Sequence, residues 1–145
     1  MLLPKISVAI REYKEQDLGA LRAIHARQGF EYALPDLNNP LFLTKIVLAE
    51  TSPENQPGKI VGAALLRLTA EAYLLLDPKW GTPRERWQAL LTLHAAAERD
   101  AWRRGLEDVH AWLPPGLEKK FGKRIERLGW LRDDKWTPYC RRLTE

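Results

Sequence analysis

The chain has 145 residues, of which 45% are hydrophobic and 29% are charged, and it contains one cysteine. This length suffices to bury a hydrophobic core that needs no disulfide or metal to stabilise it. A single cysteine excludes both an intrachain disulfide and a zinc site built from paired cysteines. The sequence has no leader-like segment and no apolar run that approaches the length of a membrane span. We therefore expect one cytoplasmic domain over residues 1–145, with neither a metal nor a membrane partner.

The formal net charge of +4 is concentrated near the C-terminus. Residues 117–132 hold six basic and two acidic side chains. Such a segment is either a solvated helix face or a surface that attracts polyanions. A solvated face is the simpler interpretation, so nucleic acid is not an expected partner.

The first third of the chain predicts a strand, a helix and a long loop. Ile6, Val8 and Ile10 alternate with small or polar residues, which is typical of a strand with one buried face. Apolar residues at helical spacing predict a helix over 16–28 that ends at Gly29. The proline-containing segment 30–43 predicts a loop that lies as a flap over a cleft.

Three further strands are predicted before the middle of the chain, over 46–50, 60–68 and 72–76. The Pro- and Gly-rich segment 51–58 separates the first two of these strands, and a tight turn at 69–71 separates the last two. Short connections of this kind predict that strands two to four form an antiparallel meander.

A long helix is predicted to begin at Thr82 and to reach about residue 104. Thr82 suits the N-cap, Pro83 suits the first helical position, and Glu85 completes a capping box. Gly105 suits the end of this helix. A fifth strand over 109–113, a helix over 117–128 ended by a glycine, and two strands over 130–132 and 136–143 are expected to follow.

The order of these elements resembles the GCN5-related N-acetyltransferase superfamily over nearly the whole chain. The fragments most similar to that family are Ile10-Arg11 before Asp17-Leu18, Gly58 to Gly62, Pro78, Ala89 to Leu91, and Glu126-Arg127-Leu128-Gly129-Trp130. The resemblance implies an α/β (α+β) fold: a mixed, mostly antiparallel central sheet of about six or seven strands flanked by about four helices.

The same resemblance implies a function. Acetyl-CoA or another acyl-CoA would serve as cosubstrate, and a small-molecule or peptide amine would attack its thioester directly in a ternary complex. In the family, acyl-CoA lies between the fourth and fifth strands, with its pyrophosphate on the N-terminus of the long helix. The cofactor-binding residues that this implies here are Leu76, Pro78, Lys79, Thr82, Arg84, Arg86 and Trp87.

The long-helix start departs from the family motif, in which two small residues let backbone N–H groups reach the phosphates. Depending on the alignment, the glycine positions fall on Glu85 and Trp87 or on Arg84 and Arg86. A capping-box carboxylate at Glu85 would also compete with phosphate for the same donors. The sequence therefore predicts that Arg84 and Arg86 contact the anion through their side chains.

Candidates for proton transfer are Asp77 as general base and Tyr139 as general acid. The family's usual acid is a tyrosine, and Ile125 stands at the matching position. Asp before Pro is also a common turn residue, and Tyr139 also fits a simple strand position. Two alternatives to an enzyme therefore stay open: a catalytically inactive binding or regulatory module and, less favoured, a nucleic-acid-binding protein that uses the basic helix 117–128. The sequence does not decide between a monomer and a homodimer.

Overall fold

The structure, a computed structural model, describes residues 7–51 and 58–143. These residues form an α+β fold with three α-helices and five strands in two separate sheets. The chain divides into two compact units. The first comprises Met1–Ala70 and Leu75–Val109, and the second comprises Glu71–Leu74 and His110–Glu145.

The larger sheet is antiparallel and has the order β1-β2-β3, with β1 at Val8–Glu12, β2 at Phe42–Glu50 and β3 at Ile60–Arg67. Its register places Ile10 opposite Leu48, and Leu48 opposite Gly62. The predicted positions of the first three strands are confirmed over these ranges. The buried face predicted for the first strand is wrong, because Val8 and Ile10 are 46% and 68% exposed. Position 6 and most of the predicted connection 51–58 lie outside the described residues.

Helix α1, Leu18–Gln28, packs against this sheet and closes the core. Leu21, Leu37 and Val47 are its buried centre, and Val47 is only 1% exposed. Gly29 ends the helix in the left-handed conformation, with φ 70°. The predicted helix and its glycine are therefore confirmed, and a single 3₁₀ turn at Glu15–Asp17 precedes the helix.

An ion pair fixes the connection from β1 to α1. Both guanidinium nitrogens of Arg11 donate to the Asp17 carboxylate at 2.8 Å, and Lys14 N–H donates to it as well. These hydrogen bonds, led by those from Arg11, hold the pKa of Asp17 below its ordinary value. Asp17 is 4% exposed, so a charged group is buried here only because it is fully paired.

The predicted flap is a loop that is shorter than expected. Its tip is pinned to the sheet, since Leu37 is buried and its carbonyl accepts a hydrogen bond from Lys45 Nζ at 2.9 Å. Phe42 and Leu43 belong to β2 rather than to the loop. The strand extends further than predicted because its partner β3 continues to Arg67 and offers a ladder to these residues.

The predicted fourth strand is wrong in position and in pairing. Strand β4 is Ala70–Glu71, on residues expected to form a turn, and it forms a two-stranded sheet with β5, Val109–His110, instead of extending the meander. Residues 72–76 are outside any strand, and Leu75 is 90% exposed. An apolar run has a high propensity to form a strand, but a strand forms only where a second segment offers hydrogen bonds to it. The propensity of the run does not show which segment that is.

Helix α2, Pro83–Arg103, confirms the long-helix prediction at both ends. At its end Gly105 has φ 80° and donates to Trp102 O at 3.0 Å, while Leu106 N–H donates to Ala101 O at 3.2 Å. These two bonds form a Schellman motif, which satisfies carbonyl groups that the helix itself leaves unpaired.

Helix α3, Pro115–Glu126, lies in the second unit and ends with the same pair of bonds around Gly129, which has φ 96°. The two strands expected over 130–132 and 136–143 are absent from the described residues, which include only the five strands named above. A single sheet of six or seven strands flanked by four helices is therefore a wrong prediction. Pro138 lacks a ladder donor, and Tyr139 and Leu143 are more than 90% exposed, so nothing covers a strand there.

Candidate functional site

The segment from Leu76 to Trp87 carries all seven predicted cofactor-binding residues and lies in the first unit. It begins with a turn. Asp77 O accepts a hydrogen bond from Trp80 N–H at 3.2 Å, and Asp77 Oδ1 accepts one from Lys79 N–H at 2.9 Å. The Asp77 side chain thus closes an Asx turn at the surface. Its second carboxylate oxygen has no partner among the described residues, so the turn role leaves one oxygen available for a base.

The N-terminus of α2 is closed by its own side chains. Thr82 Oγ1 accepts from Glu85 N–H at 3.1 Å, and a Glu85 carboxylate oxygen accepts from Thr82 N–H at 2.7 Å. The predicted capping box is therefore confirmed. The sequence Thr-Pro-x-Glu was sufficient to predict it because both partners lie within one turn.

Few backbone donors remain at this helix start. Pro83 has no N–H, the N–H groups of Thr82 and Glu85 bond within the capping box, and Arg86 N–H donates to Thr82 O at 2.9 Å. Only Arg84 N–H is without a partner among the described residues at this end of α2. An anion that binds here meets one backbone donor unless it displaces the Glu85 carboxylate.

The two arginines of the helix start differ in what they contact. Arg86 donates from one guanidinium nitrogen to Trp80 O at 2.9 Å and to Gly81 O at 2.7 Å, so it anchors the turn to the helix. Arg84 is exposed and has no hydrogen-bond or ion-pair partner in the part of the chain that is described. Arg84 is therefore the side chain available for an anion, whereas Arg86 already has a structural role that the sequence did not reveal.

Gly81 is required by this arrangement. It has φ 61°, and a Cβ on it would lie 2.6 Å from a carboxylate oxygen of Glu85. A side chain would therefore strain the backbone and push the capping carboxylate away. The pattern Gly-Thr-Pro-x-Glu contains this signal, since the glycine directly precedes the N-cap.

The remaining predicted binding residues line the same stretch of chain. Leu76 and Trp87 are half-buried, whereas Pro78 and Lys79 lie exposed in the turn. Residues 72–77 lie outside any helix or strand, and the N–H and C=O groups of Leu75 and Leu76 in the first unit have no hydrogen-bond partner among the described residues. This stretch leaves peptide groups open to a ligand.

The proposed acid, Tyr139, belongs to the second unit, lies outside any helix or strand and is 94% exposed. Ile125 lies half-buried on α3. Another tyrosine of that unit was not predicted as a site residue: a hydrogen bond with Glu71, together with that carboxylate's charge, raises the pKa of Tyr73. Residues two apart in an extended chain share a face, so the Glu-x-Tyr spacing carried this signal.

Comparisons with family models, with curated proteins and with solved structures gave no match. Among the described residues, no group of three or more His, Cys, Asp or Glu side chains is placed to hold a metal ion. None of the described helices combines the length and the apolar character needed to span a bilayer.

Proposed function

We propose that this protein is a divergent acyl-CoA-dependent N-acyltransferase of the GCN5-related type. The amine nitrogen of the acceptor attacks the thioester carbon of acetyl-CoA or another acyl-CoA. The C–N bond of an amide forms, the C–S bond breaks, a base takes one proton from the nitrogen, and the CoA thiolate leaves and takes up a proton.

The observation that carries this proposal is the open backbone of Leu75 and Leu76, directly before the Asp77 turn and α2 in the first unit. An extended segment with unpaired N–H and C=O groups binds other extended, amide-bearing chains by adding them as a strand. The arm of CoA that ends in the thiol carries amide groups and has this character. Leu76 would then lie beside the thioester, where its backbone N–H polarises the carbonyl, whereas the Lys79 N–H is already bonded to Asp77.

The phosphate end of CoA would lie at the start of α2, with Arg84 as its main contact. A hydrogen bond to a charged group contributes about 1.5–3 kcal/mol, so two lost backbone donors weaken binding by about 3–6 kcal/mol, or roughly 100-fold to 10⁴-fold. Side-chain contacts from Arg84 and Lys79 recover part of this. We therefore expect weak acyl-CoA binding whose affinity depends on side chains.

Turnover is tested by incubating the protein with acetyl-CoA and a panel of small amines and N-terminal peptides. Chromatography should detect released CoA, because the exposed thiol of Cys140 would itself react with a thiol reagent. We expect amine-dependent release of CoA. Release that does not rise above the rate without protein for any amine would contradict the enzyme.

Asp77→Asn is the matched test of the base. Asparagine keeps an oxygen that can accept the Lys79 N–H, so the turn is preserved while the basic carboxylate is removed. If Asp77 is the general base, kcat should fall by about 10²–10⁴-fold with little change in KM. An unchanged kcat would leave Asp77 with its turn role alone.

A catalytically inactive binding or regulatory module is the second candidate, and the capping box favours it. Glu85 and Thr82 already occupy the helix-start donors that a phosphate would use. This candidate predicts that no amine in the panel is acylated, even under conditions in which acyl-CoA binds. Binding without turnover would therefore replace the first proposal with the second.

A further inference from the structure

A stripe of exposed cations runs along α3, and neither the capping geometry nor the proposed acyl transfer uses it. The stripe consists of Lys119, Lys120, Lys123, Arg124 and Arg127, all of them exposed. At 100° per residue these five positions fall within an arc of about 140° on one side of the helix. None of the five has a hydrogen-bond or ion-pair partner within the described residues.

The acidic residues of this helix do not neutralise the stripe. Glu118 pairs with Arg132, which also donates to Asp134, so the charge of Glu118 is already compensated by a residue outside the stripe. Glu126 lies at the edge of the stripe and forms no ion pair with it among the described residues. Five cations that repel one another along about 12 Å of helix therefore lack compensating charge from the described residues.

The apolar side of α3 argues against a membrane as the compensating surface. Phe121, Ile125 and Leu128 are half-buried, whereas a helix that lies in a bilayer interface needs its apolar face exposed. Leu117, at the start of the helix, is the exposed residue of the apolar side, so the continuous exposed surface of α3 is its cationic side. A soluble polyanion fits this surface better than a lipid layer does.

An exposed aromatic ring precedes the helix closely. Trp112 lies three residues before α3 begins and is 61% exposed, and it belongs to the same compact unit. Proteins that bind single-stranded nucleic acid without sequence preference combine two features. Their cations follow the phosphate backbone, and their aromatic rings stack on the bases. An acidic peptide would use the cations but would have no base to stack on the ring.

We propose that the α3 stripe binds single-stranded nucleic acid, with the five cations on phosphates and Trp112 stacked on a base. This role does not depend on acyl transfer, and it reverses the expectation that nucleic acid is not a partner. The supporting observation is that all five cations are exposed, lie on one side of the helix and have no partner among the residues that the structure describes.

The test uses a fluorescein-labelled oligouridylate of about 20 nucleotides and fluorescence anisotropy over a salt series. Five contacts on a single strand predict a log–log salt slope near −3.5, or a roughly 100-fold loss of affinity between about 50 and 200 mM salt. Lys119→Gln combined with Lys123→Gln should reduce the slope to about −2, which corresponds to a loss of about 20-fold over the same range.

The matched control is Arg99→Gln combined with Arg103→Gln on α2, which removes the same charge from exposed positions at the same spacing. This variant should keep the wild-type slope. Trp112→Leu should weaken binding by roughly tenfold without changing the slope, because stacking does not release counterions. Circular dichroism confirms that each variant is folded.

Three results would overturn the proposal. One is no binding to the oligouridylate at low salt. Another is binding that the α3 and α2 variants weaken equally, since this would reflect net charge rather than the stripe. The third is binding to polyglutamate or to phosphatidylserine vesicles that is as tight as binding to the oligouridylate, which would identify an acidic peptide or a lipid surface instead.

Discussion

Replacing Glu85 by alanine should make the protein less stable and improve its binding of CoA. The Glu85 carboxylate accepts a 2.7 Å hydrogen bond from Thr82 N–H and lies at the positive end of α2. Removing it breaks half of the capping box, which lowers the free energy of unfolding by about 0.5–1 kcal/mol. The same change returns a backbone donor to the helix start.

The gain in affinity follows from two contributions. A phosphate that binds wild-type protein must displace the carboxylate at a cost of about 1 kcal/mol, and it also meets a negative charge at the helix end worth about 0.3–1 kcal/mol. Together these give about 1.3–2 kcal/mol, so Glu85→Ala should bind CoA about tenfold to thirtyfold more tightly.

Titration calorimetry with CoA measures the affinity, and urea denaturation measures the stability. Glu98→Ala is the control, since it removes the same charge from the exposed middle of α2. If Glu98→Ala gains as much affinity as Glu85→Ala, the effect is one of overall charge. If Glu85→Ala loses stability and its CoA affinity is unchanged, the phosphate does not bind at this helix start and the reasoning is refuted.

Further changes in the first unit, with one control in α3, separate structural roles from binding roles. Arg84→Ala should weaken CoA binding by about tenfold in calorimetry and leave the urea midpoint unchanged. Arg86→Ala should lower the free energy of unfolding by about 1 kcal/mol, because the carbonyls of Trp80 and Gly81 lose their donor. The opposite pattern in the two measurements would contradict these roles. Gly81→Ala should destabilise the protein by about 1–2 kcal/mol, because the φ of Gly81 is 61° and the new Cβ would meet Glu85. Gly122→Ala should stabilise the protein by about 0.5–1 kcal/mol, because Gly122 lies in a helix and its Cβ would meet no atom closer than 3.7 Å. Equal effects of the two changes in thermal denaturation would show that Gly81 is not strained by a side chain. Asp17→Asn should be less stable than wild type by about 1–2 kcal/mol at neutral pH. The lowered native pKa of Asp17 means that its contribution to stability is fully present above the ordinary carboxyl pKa near 4 and is lost as the pH falls through the native value. In urea denaturation, the stability difference between the two proteins should therefore shrink as the pH is lowered below about 4. A difference that does not shrink would argue against the ion pair.

Features that depend on a few neighbouring residues were predictable from the sequence. The capping box needs only Thr82 and Glu85, and the ends of all three helices follow from Gly29, Gly105 and Gly129. In each case one side chain or one φ angle decides the structure, and both partners lie within one or two helical turns.

Features that depend on distant partners were not predictable in the same way. Residues 72–76 have the composition of a buried strand, but β4 lies at Ala70–Glu71 because that is where the chain meets β5. Residues 136–143 likewise show strand-like spacing without a partner ladder. The pattern of side chains reports propensity, whereas hydrogen-bond pairing in a sheet is set by the tertiary fold.

The candidate site shows the same division. Its position on the chain, from Leu76 to Trp87, and its self-capped helix start follow from local sequence. The different roles of Arg84 and Arg86 do not, because the carbonyls of Trp80 and Gly81 turn toward Arg86 only once the turn at Asp77 has formed. A positive side chain in a motif position is thus a candidate for anion binding until its hydrogen-bond partners are known.

The most direct test of the proposed function is a calorimetric titration of the wild-type protein with acetyl-CoA. Acyl-CoA binding along Leu75 and Leu76 and at the start of α2 predicts saturable heat with one site per chain and a weak affinity that Arg84→Ala reduces further. The absence of any binding heat at millimolar acetyl-CoA would contradict the account, since an acyltransferase must bind its acyl donor.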